Sequence, residues 1–292
     1  MITHSVSIVI PTYNRRSTLS KTLDKCVNLI PQPSEIIVVD DASTDDTKAF
    51  IHAYNNPWVR YIHLPENRGQ AYARSVGMAT AQGEIIVSLD DDSYFMDSDA
   101  LERMFRRFEK SPQYGILSFK TFTPRDEICP PENRLFYVSD HVTCGCAYRK
   151  SLLDKIGYHL LFIHSGGEET DLSLKTLDAG YSILLDYSIR VYHDFEPDKR
   201  SKRWRNTIRR QTMRNDLLEV WARFPWVWVL PATLYKLFSH FRHGLQHHLV
   251  IPSMMGFLGF LIKLPIALMY RKPVSSKTLH KYLALRKKAI NI

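Results

Sequence analysis

The sequence predicts an α/β fold: a mostly parallel sheet flanked by helices, followed by a basic, apolar helical region. Three observations carry this. Short β-branched runs alternate with stretches of helical period, the runs end on acidic residues, and the composition breaks near Lys199. A chain of 292 residues, 45% apolar and 24% charged, has ample material for a core. That make-up excludes wholesale disorder, collagen-like repeats and a small disulfide-stapled fold.

Val6 to Ile10 reads as a buried strand closed by Pro11, and Glu35 to Val39 as a second running into Asp40 and Asp41. Between them Ser17 to Leu29 places Leu19, Leu23 and Val27 at helical spacing, with Ile30 just beyond. Asp45 to Tyr54 is a predicted helix, Val59 to His63 a strand, Gln70 to Ala81 a helix and Glu84 to Leu89 a strand that meets Asp90, Asp91 and Asp92. Further on, Cys144 to Tyr148 is a predicted strand, Glu169 to Ala179 a helix ended by Gly180, and Ser182 to Tyr192 a strand closed by His193. In open sheets of this kind ligands bind beyond the carboxyl ends of the strands, so the acidic strand ends should gather on one edge.

The charge is unevenly spread. Lys and Arg number 39 and Asp and Glu 30, for a net +9. Up to Asp198 there are 20 basic and 28 acidic residues; from Lys199 onward there are 19 basic ones and only Asp216 and Glu219 acidic. A body that does chemistry and a tail that meets an anionic surface is the expectation, with domains at 1–198 and 199–292. The tail holds the basic run from Lys199 to Asn215, then Phe224 to Phe241, then Leu249 to Tyr270, whose only charge is Lys263. That last stretch is just long enough to span a bilayer of about 30 Å, but Pro252, Pro265, Gly256, Gly259 and Lys263 favour interfacial or re-entrant helices, with Trp204, Trp221, Trp226 and Trp228 at headgroup depth. Nucleic acid is the poorer partner for such a tail, since its long apolar stretches suit lipid.

Cys26, Cys129, Cys144 and Cys146 form no zinc-like pair or disulfide framework, and MITHSVSIVIPTYN carries no signal peptide, so the body is expected to stay cytoplasmic.

Three constellations carry chemistry. In VVDDASTDDT (38–47), the Ser and Thr residues read as a helix cap, leaving Asp40 and Asp41 in the crevice. Asp90, Asp91 and Asp92 are adjacent like charges that ask for a cation, and hard carboxylate oxygens suit Mn²⁺ or Mg²⁺ on a diphosphate. In GGEETDL (166–172), two glycines lead into a helix whose first turn holds Glu168, Glu169 and Asp171, where one carboxylate can serve as general base.

Together with PTYNR (11–15), NRG (67–69), AR (73–74) and VYH (191–193), these motifs resemble the family 2 glycosyltransferases, inverting enzymes with the Rossmann-like GT-A nucleotide-sugar-binding fold. The resemblance covers Val6 to His193 and, more loosely, runs to Asn215. It implies that Pro11, Thr12 and Tyr13 line the nucleobase pocket, that Asp41, with Asp40 beside it, bonds the base or ribose, and that Arg68 or Arg74 meets the nucleotide. Asp90 then faces the ribose or sugar and Asp92 the metal, with Asp91 as the other candidate ligand and His193 as a further one. Glu169 is the base by register, with Glu168 its rival. Gln211-Thr212-Met213-Arg214 resembles the QxxRW element of processive relatives, which adds Arg214 to the donor site, but Asn215 replaces the Trp and argues against polymerisation. The basic segment Lys199 to Arg214 is expected to fold over the diphosphate.

The implied activity is metal-dependent, inverting transfer of a sugar from a nucleotide-diphosphate donor to a hydroxyl of a lipid-linked or cell-surface glycan. The tail places it at the cytoplasmic membrane face. The other readings are transfer directly to polyprenyl phosphate, a sugar-phosphate nucleotidyltransferase, for which PTYNRR is a poor phosphate loop, and a non-catalytic membrane adaptor.

Overall fold

The computed structural model describes residues 5–159, 166–196 and 201–291. The first half is the predicted alternation: β1 (Val6–Thr12), α1 (Arg16–Cys26), β2 (Glu35–Asp40), α2 (Thr47–Tyr54), β3 (Val59–His63), α3 (Gln70–Thr80) and β4 (Ile85–Leu89). These four strands are parallel, in the order β4-β1-β2-β3. Because β1 sends the chain to β2 on one side and has β4 on its other, the strand order reverses at β1, where a crevice opens for a ligand.

Beyond β4 the sheet is mixed, a departure from the mostly parallel expectation. β8 (Gly145–Arg149) runs antiparallel to β4 and to β6 (Tyr114–Phe122), while β9 (Ser182–His193) is parallel to β6. β7 (Leu135–Tyr137) and β5 (Ser93–Phe95) pair antiparallel with β9, and β10 (Ile290–Asn291) closes the edge against β7. Between β4 and β8 the chain has one long helix, α4 (Ala100–Lys110), so it cannot repeat a helix after every strand as the first half does.

Alternation along the strands feeds two cores. Ile8, Ile10, Ile36, Val38 and Val87 pack on one face, against α1 and α4; Val9, Ile37, Val39 and Ile86 pack on the other. Burying each such side chain contributes about 1.5–3 kcal/mol. α5 (Lys150–Ile156) and α6 (Glu168–Asp178) cover the second face through Leu152, Leu153, Leu172 and Leu174.

Four helices follow: α7 (Lys202–Arg223), α8 (Trp226–Gln246), α9 (Val250–Met269) and α10 (Ser276–Lys287). Lys199 and Arg200, which begin the basic run, lie outside the described residues. From Lys202 onward the segment expected to fold over the diphosphate is helix, begun by Ser201, whose side chain accepts from the Trp204 amide at 3.1 Å. α7 and α9 lie side by side and run the same way, with Arg210 opposite Gly256 and Arg214 opposite Gly259. A Cβ on Gly256 would stand 2.7 Å from the Arg210 carbonyl oxygen, so only glycine permits this approach. Met213, Leu217, Leu218 and Phe260 form a small third core between them.

α9 is long and apolar enough to cross a membrane by length and composition alone, with 28% of its most apolar window buried. It exposes Ile251, Met254, Met255, Leu258, Leu261, Ile262 and Met269, and α8 exposes Trp226, Val227, Leu230, Leu234 and Phe238. Of the four tryptophans expected at headgroup depth, Trp226 is 62% exposed, with Arg271 over its ring at 3.8 Å. Trp221 is packed between Trp226 and Phe260, Trp228 against His280, and Trp204 faces the crevice, because each sits on the inward side of its helix.

α10 returns to the body. Asp178 at the end of α6 accepts from the Ser275 amide at 3.0 Å and the Thr278 hydroxyl at 2.7 Å, and Leu279, Tyr282 and Leu285 join the second core. The change of composition at Lys199 is thus not a clean break in packing.

Candidate active site

The ends of β1, β4 and β9 and one face of α7 enclose a cavity of about 600 Å³. Its floor is the acidic triplet. Thr12 donates to Asp91 Oδ2 at 2.8 Å, tying the end of β1 to the turn after β4, and Thr22 of α1 donates to the Asp91 carbonyl at 2.9 Å. Arg15 spans both carboxylates, 2.8 Å from Asp91 and 2.5 Å from Asp92. Asp90 accepts from Arg74 at 2.5 Å and from Gln70 at 2.7 Å. His193, at the end of β9, places Nε2 3.2 Å from Asp92 and 3.8 Å from Asp90, with its ring stacked on Phe195.

These partners separate the three acids electrostatically. Burial pushes Asp91 up to about 7 in spite of Arg15. Burial would raise Asp92 too, but His193 and Arg15 hold it below the usual carboxylate range. Burial opposes the charge of His193, yet its hydrogen bonds with Asp92 and Cys144 outweigh that and raise it to about 10. A divalent cation fits here on the donor set. Asp92 Oδ1 is buried 3.2 Å from His193 Nε2, and Asp90, Cys144 and His193 bring ligand atoms within 4.8 Å of one another. Carboxylate and imidazole suit Mn²⁺ or Mg²⁺; the half-buried Cys144 thiol is pushed up, remains protonated and is a poor hard-ion ligand.

The other carboxylates stand on the turn into α6. Gly166 and Gly167 have φ of 80° and 90°, the left-handed region that favours glycine, and Asn215 of α7 donates to the Gly166 carbonyl at 2.7 Å. Glu169 accepts from Thr143 at 3.1 Å; Glu168 is 4% exposed and its Oε2 has no partner. Burial, then the neighbouring Glu168, pushes Glu169 up to about 8, and burial raises Glu168 as well. Two carboxyls side by side cannot both ionise cheaply, so one holds a proton near neutrality. Asp171 is structural, 2.5 Å from Arg223 and 3.0 Å from Lys175.

Pro11, Thr12, Tyr13, Asp41, Asp90, Asp91, Asp92 and His193 line the cavity. Asp41 accepts from the Arg68 and Gly69 amides, each at 2.8 Å, which shapes the loop at the rim. Four expected donor contacts stand elsewhere. Asp40 is fully buried, bonded to Tyr61 at 2.5 Å and the Ser43 amide at 2.8 Å, because it closes the cap of the next turn. Arg68 lies outward over the Tyr72 ring at 3.8 Å. Arg74 is fully buried, bonded to Ser88, Leu89, Thr143 and Asp90, and so positions Asp90 without lining the cavity. Arg214 lies on the α9 side of α7, against Gly259, while Trp204, Thr207, Ile208 and Gln211 form the face toward the cavity. Arg15, Gln70, Trp204 and Gln211 were not expected at the site. Arg15 had a signal, as the last residue of PTYNR; Gln211 had one in the QxxR element, and Trp204 lay in the segment expected over the diphosphate.

Residues 7–128 match the family model described as Glycosyl transferase family 2. The glycosyltransferase YwdF of Bacillus subtilis is 32% identical over 176 residues, 55% of this chain and 63% of the relative. The poly-beta-1,6-N-acetyl-D-glucosamine synthase of Staphylococcus epidermidis is 32% identical over 114 residues, 39% of this chain and 27% of the synthase. The chain therefore spans less than two-thirds of either relative. Among solved structures, TarS 1-349 of S. aureus in complex with UDP-GlcNAc superposes with a TM-score of 0.66 at 18% identity, covering 97% of this chain and 88% of that one. The mannosyltransferase PcManGT of Pyrobaculum calidifontis, in complex with GDP-Man and Mn²⁺, gives 0.63 at 18% identity, covering 98% and 87%. Over residues 7–128 the chain is thus similar to glycosyl transferase family 2, and the superpositions show that it shares the fold of these solved neighbours over nearly its whole length.

Proposed function

We propose that the protein transfers a sugar from a nucleoside-diphosphate donor to an acceptor hydroxyl, with inversion at the anomeric carbon, at the cytoplasmic face of a membrane. One observation carries the reading: Asp90, Asp91, Asp92 and His193 share a cavity of about 600 Å³ with the pocket residues Pro11, Thr12, Tyr13 and Asp41. Of the solved neighbours, TarS 1-349 is in complex with UDP-GlcNAc and PcManGT with GDP-Man and Mn²⁺, ligands of the class such a cavity would take.

Pro11 and Tyr13 hold the base, and the acidic floor meets the diphosphate end. Asp92 and His193, with Asp90 or Asp91, would hold Mn²⁺ or Mg²⁺, which supplies charge neutralisation to the departing diphosphate. Arg15 supplies a fixed positive charge on the same floor. Glu169 takes the proton of the acceptor hydroxyl, whose oxygen forms the new bond to the anomeric carbon as the bond to the diphosphate oxygen breaks. Thr143 fixes the rotamer of Glu169. The acceptor is a glycan that is lipid-linked or at the cell surface. The relative named as a poly-beta-1,6-N-acetyl-D-glucosamine synthase and the exposed apolar faces of α8 and α9 support that reading.

The test is a thermal-shift and hydrolysis screen against nucleotide sugars with and without Mn²⁺. Metal-dependent stabilisation by one donor, with slow release of its nucleoside diphosphate, is expected; stabilisation by no donor overturns the reading.

A further inference from the structure

A second cavity, of about 900 Å³, lies beside the first between the amino-terminal ends of α7 and α9. Thr207 lines both. One wall is cationic: Lys202, Arg203 and Arg210, with His248 opposite, and among the described residues no carboxylate lines the cavity. Among the described residues none of these three cations pairs with an acid; Asp216 of the same helix is taken by Lys236 and His240. The other wall is apolar, formed by Ile251, Pro252 and Met255 of α9. Ile251 and Met255 are themselves part of the exposed apolar face.

Three exposed charges of one sign give this wall a positive field that solvent only partly screens. Their setting adds to that field. Helix starts favour acids, yet neither α7 nor α9 has one in its first turn, and α7 begins with Lys202 and Arg203. Because the two helices run the same way, their positive ends meet at this one groove, and an anion there would relieve both effects. A free anion would leave the apolar wall unused. A phosphate at the head of a hydrocarbon chain uses both walls, and Thr207 sets that phosphate next to the donor cavity.

We propose that this groove binds an acceptor lipid through its phosphate or diphosphate, with the hydrocarbon chain lying along α9. The proposal rests on the sugar-transfer reading for its purpose, but not for its chemistry. It gives the cationic segment a task different from the one the sequence suggests: Lys202, Arg203 and Arg210 meet the acceptor's phosphate instead of closing over the donor's.

The experiment titrates farnesyl diphosphate, inorganic pyrophosphate and farnesol into the full chain held in a nonionic detergent. Farnesyl diphosphate should bind at least tenfold tighter than either other probe. Arg203→Glu with Arg210→Glu should weaken it at least tenfold while leaving the Mn²⁺-dependent stabilisation by nucleotide donors in place, which also shows that the variant is folded. Met255→Asp should weaken farnesyl diphosphate and spare pyrophosphate. Equal binding of pyrophosphate and farnesyl diphosphate means a free-phosphate site and overturns the lipid assignment; unchanged farnesyl diphosphate binding in the double variant overturns the groove. If prenyl diphosphate binds as described and no nucleotide sugar does, it is the sugar-transfer reading that has failed.

Discussion

Arg15 and Asp92 are joined at 2.5 Å across the mouth of the crevice, and the same guanidinium reaches Asp91 at 2.8 Å. An internal cation thus already occupies part of the floor on which a divalent ion would sit. Arg15→Ala should tighten binding of Mn²⁺ alone about tenfold, or ~1.4 kcal/mol, and weaken binding of a nucleoside diphosphate. Calorimetric titration of the two ligands separately checks this; Mn²⁺ affinity that falls in the variant would mean that Arg15 helps to organise the ion site.

Glu169→Gln keeps the size of the side chain and the bond from Thr143 but cannot take a proton. Turnover should fall about 10²- to 10⁴-fold while donor binding is retained. If Glu168→Gln shows that loss and Glu169→Gln does not, the two carboxylates exchange roles.

The same residue sets a pH dependence. Glu169 is raised to about 8, and a base acts only when ionised, so kcat/KM should climb through that pH and the limb should vanish in Glu169→Gln. For stability the sign is opposite. In the unfolded chain the carboxyl titrates near 4.5, so between that value and about 8 the folded state binds the proton more tightly. Its contribution is therefore full at low pH and is lost as pH rises. Urea midpoints across that window should fall less steeply in the variant.

Arg74 is fully buried with its charge answered by Asp90. Arg74→Ala leaves Asp90 without that partner and empties a fully buried site, at a cost of about 3–5 kcal/mol. A large drop in melting temperature is expected; a drop no greater than that of a surface substitution would mean the site relaxes around the gap.

Leu258 and Ile262 are 57% and 78% exposed on α9. Leu258→Asp with Ile262→Asp should move the chain from the membrane pellet to the supernatant with the melting temperature unchanged. Retention in the pellet would assign membrane binding to another surface.

How far the sequence foretold this arrangement depends on the range of the contacts involved. The parallel half was legible because Val6–Thr12, Glu35–Asp40 and Ile85–Leu89 are buried on both faces and so read as continuous apolar runs. With those strands in register their acidic ends had to converge. What failed was direction at single positions: Asp40 and Asp41 are neighbours, yet one closes a turn and the other lines a cavity. Likewise Gln211 and Arg214 share a motif but lie on different faces of α7. α10 was invisible because its hold is on Asp140 and Asp178, far away in the chain. His240 of α8 is likewise buried against Asp216 of α7 at 2.9 Å, a contact that spacing along the chain does not foretell.

The meeting of Arg210 with Gly256 has one further consequence. α9 has no slack against α7 there, and α7 holds the Gly166 carbonyl through Asn215, one turn from Glu169. The surface proposed to meet lipid and the carboxylate proposed as the base are thus joined by a short, stiff linkage. Whatever presses on α9, be it bilayer thickness or micelle curvature, is geared to the height at which the base sits, so a change of detergent should alter kcat before it alters donor affinity.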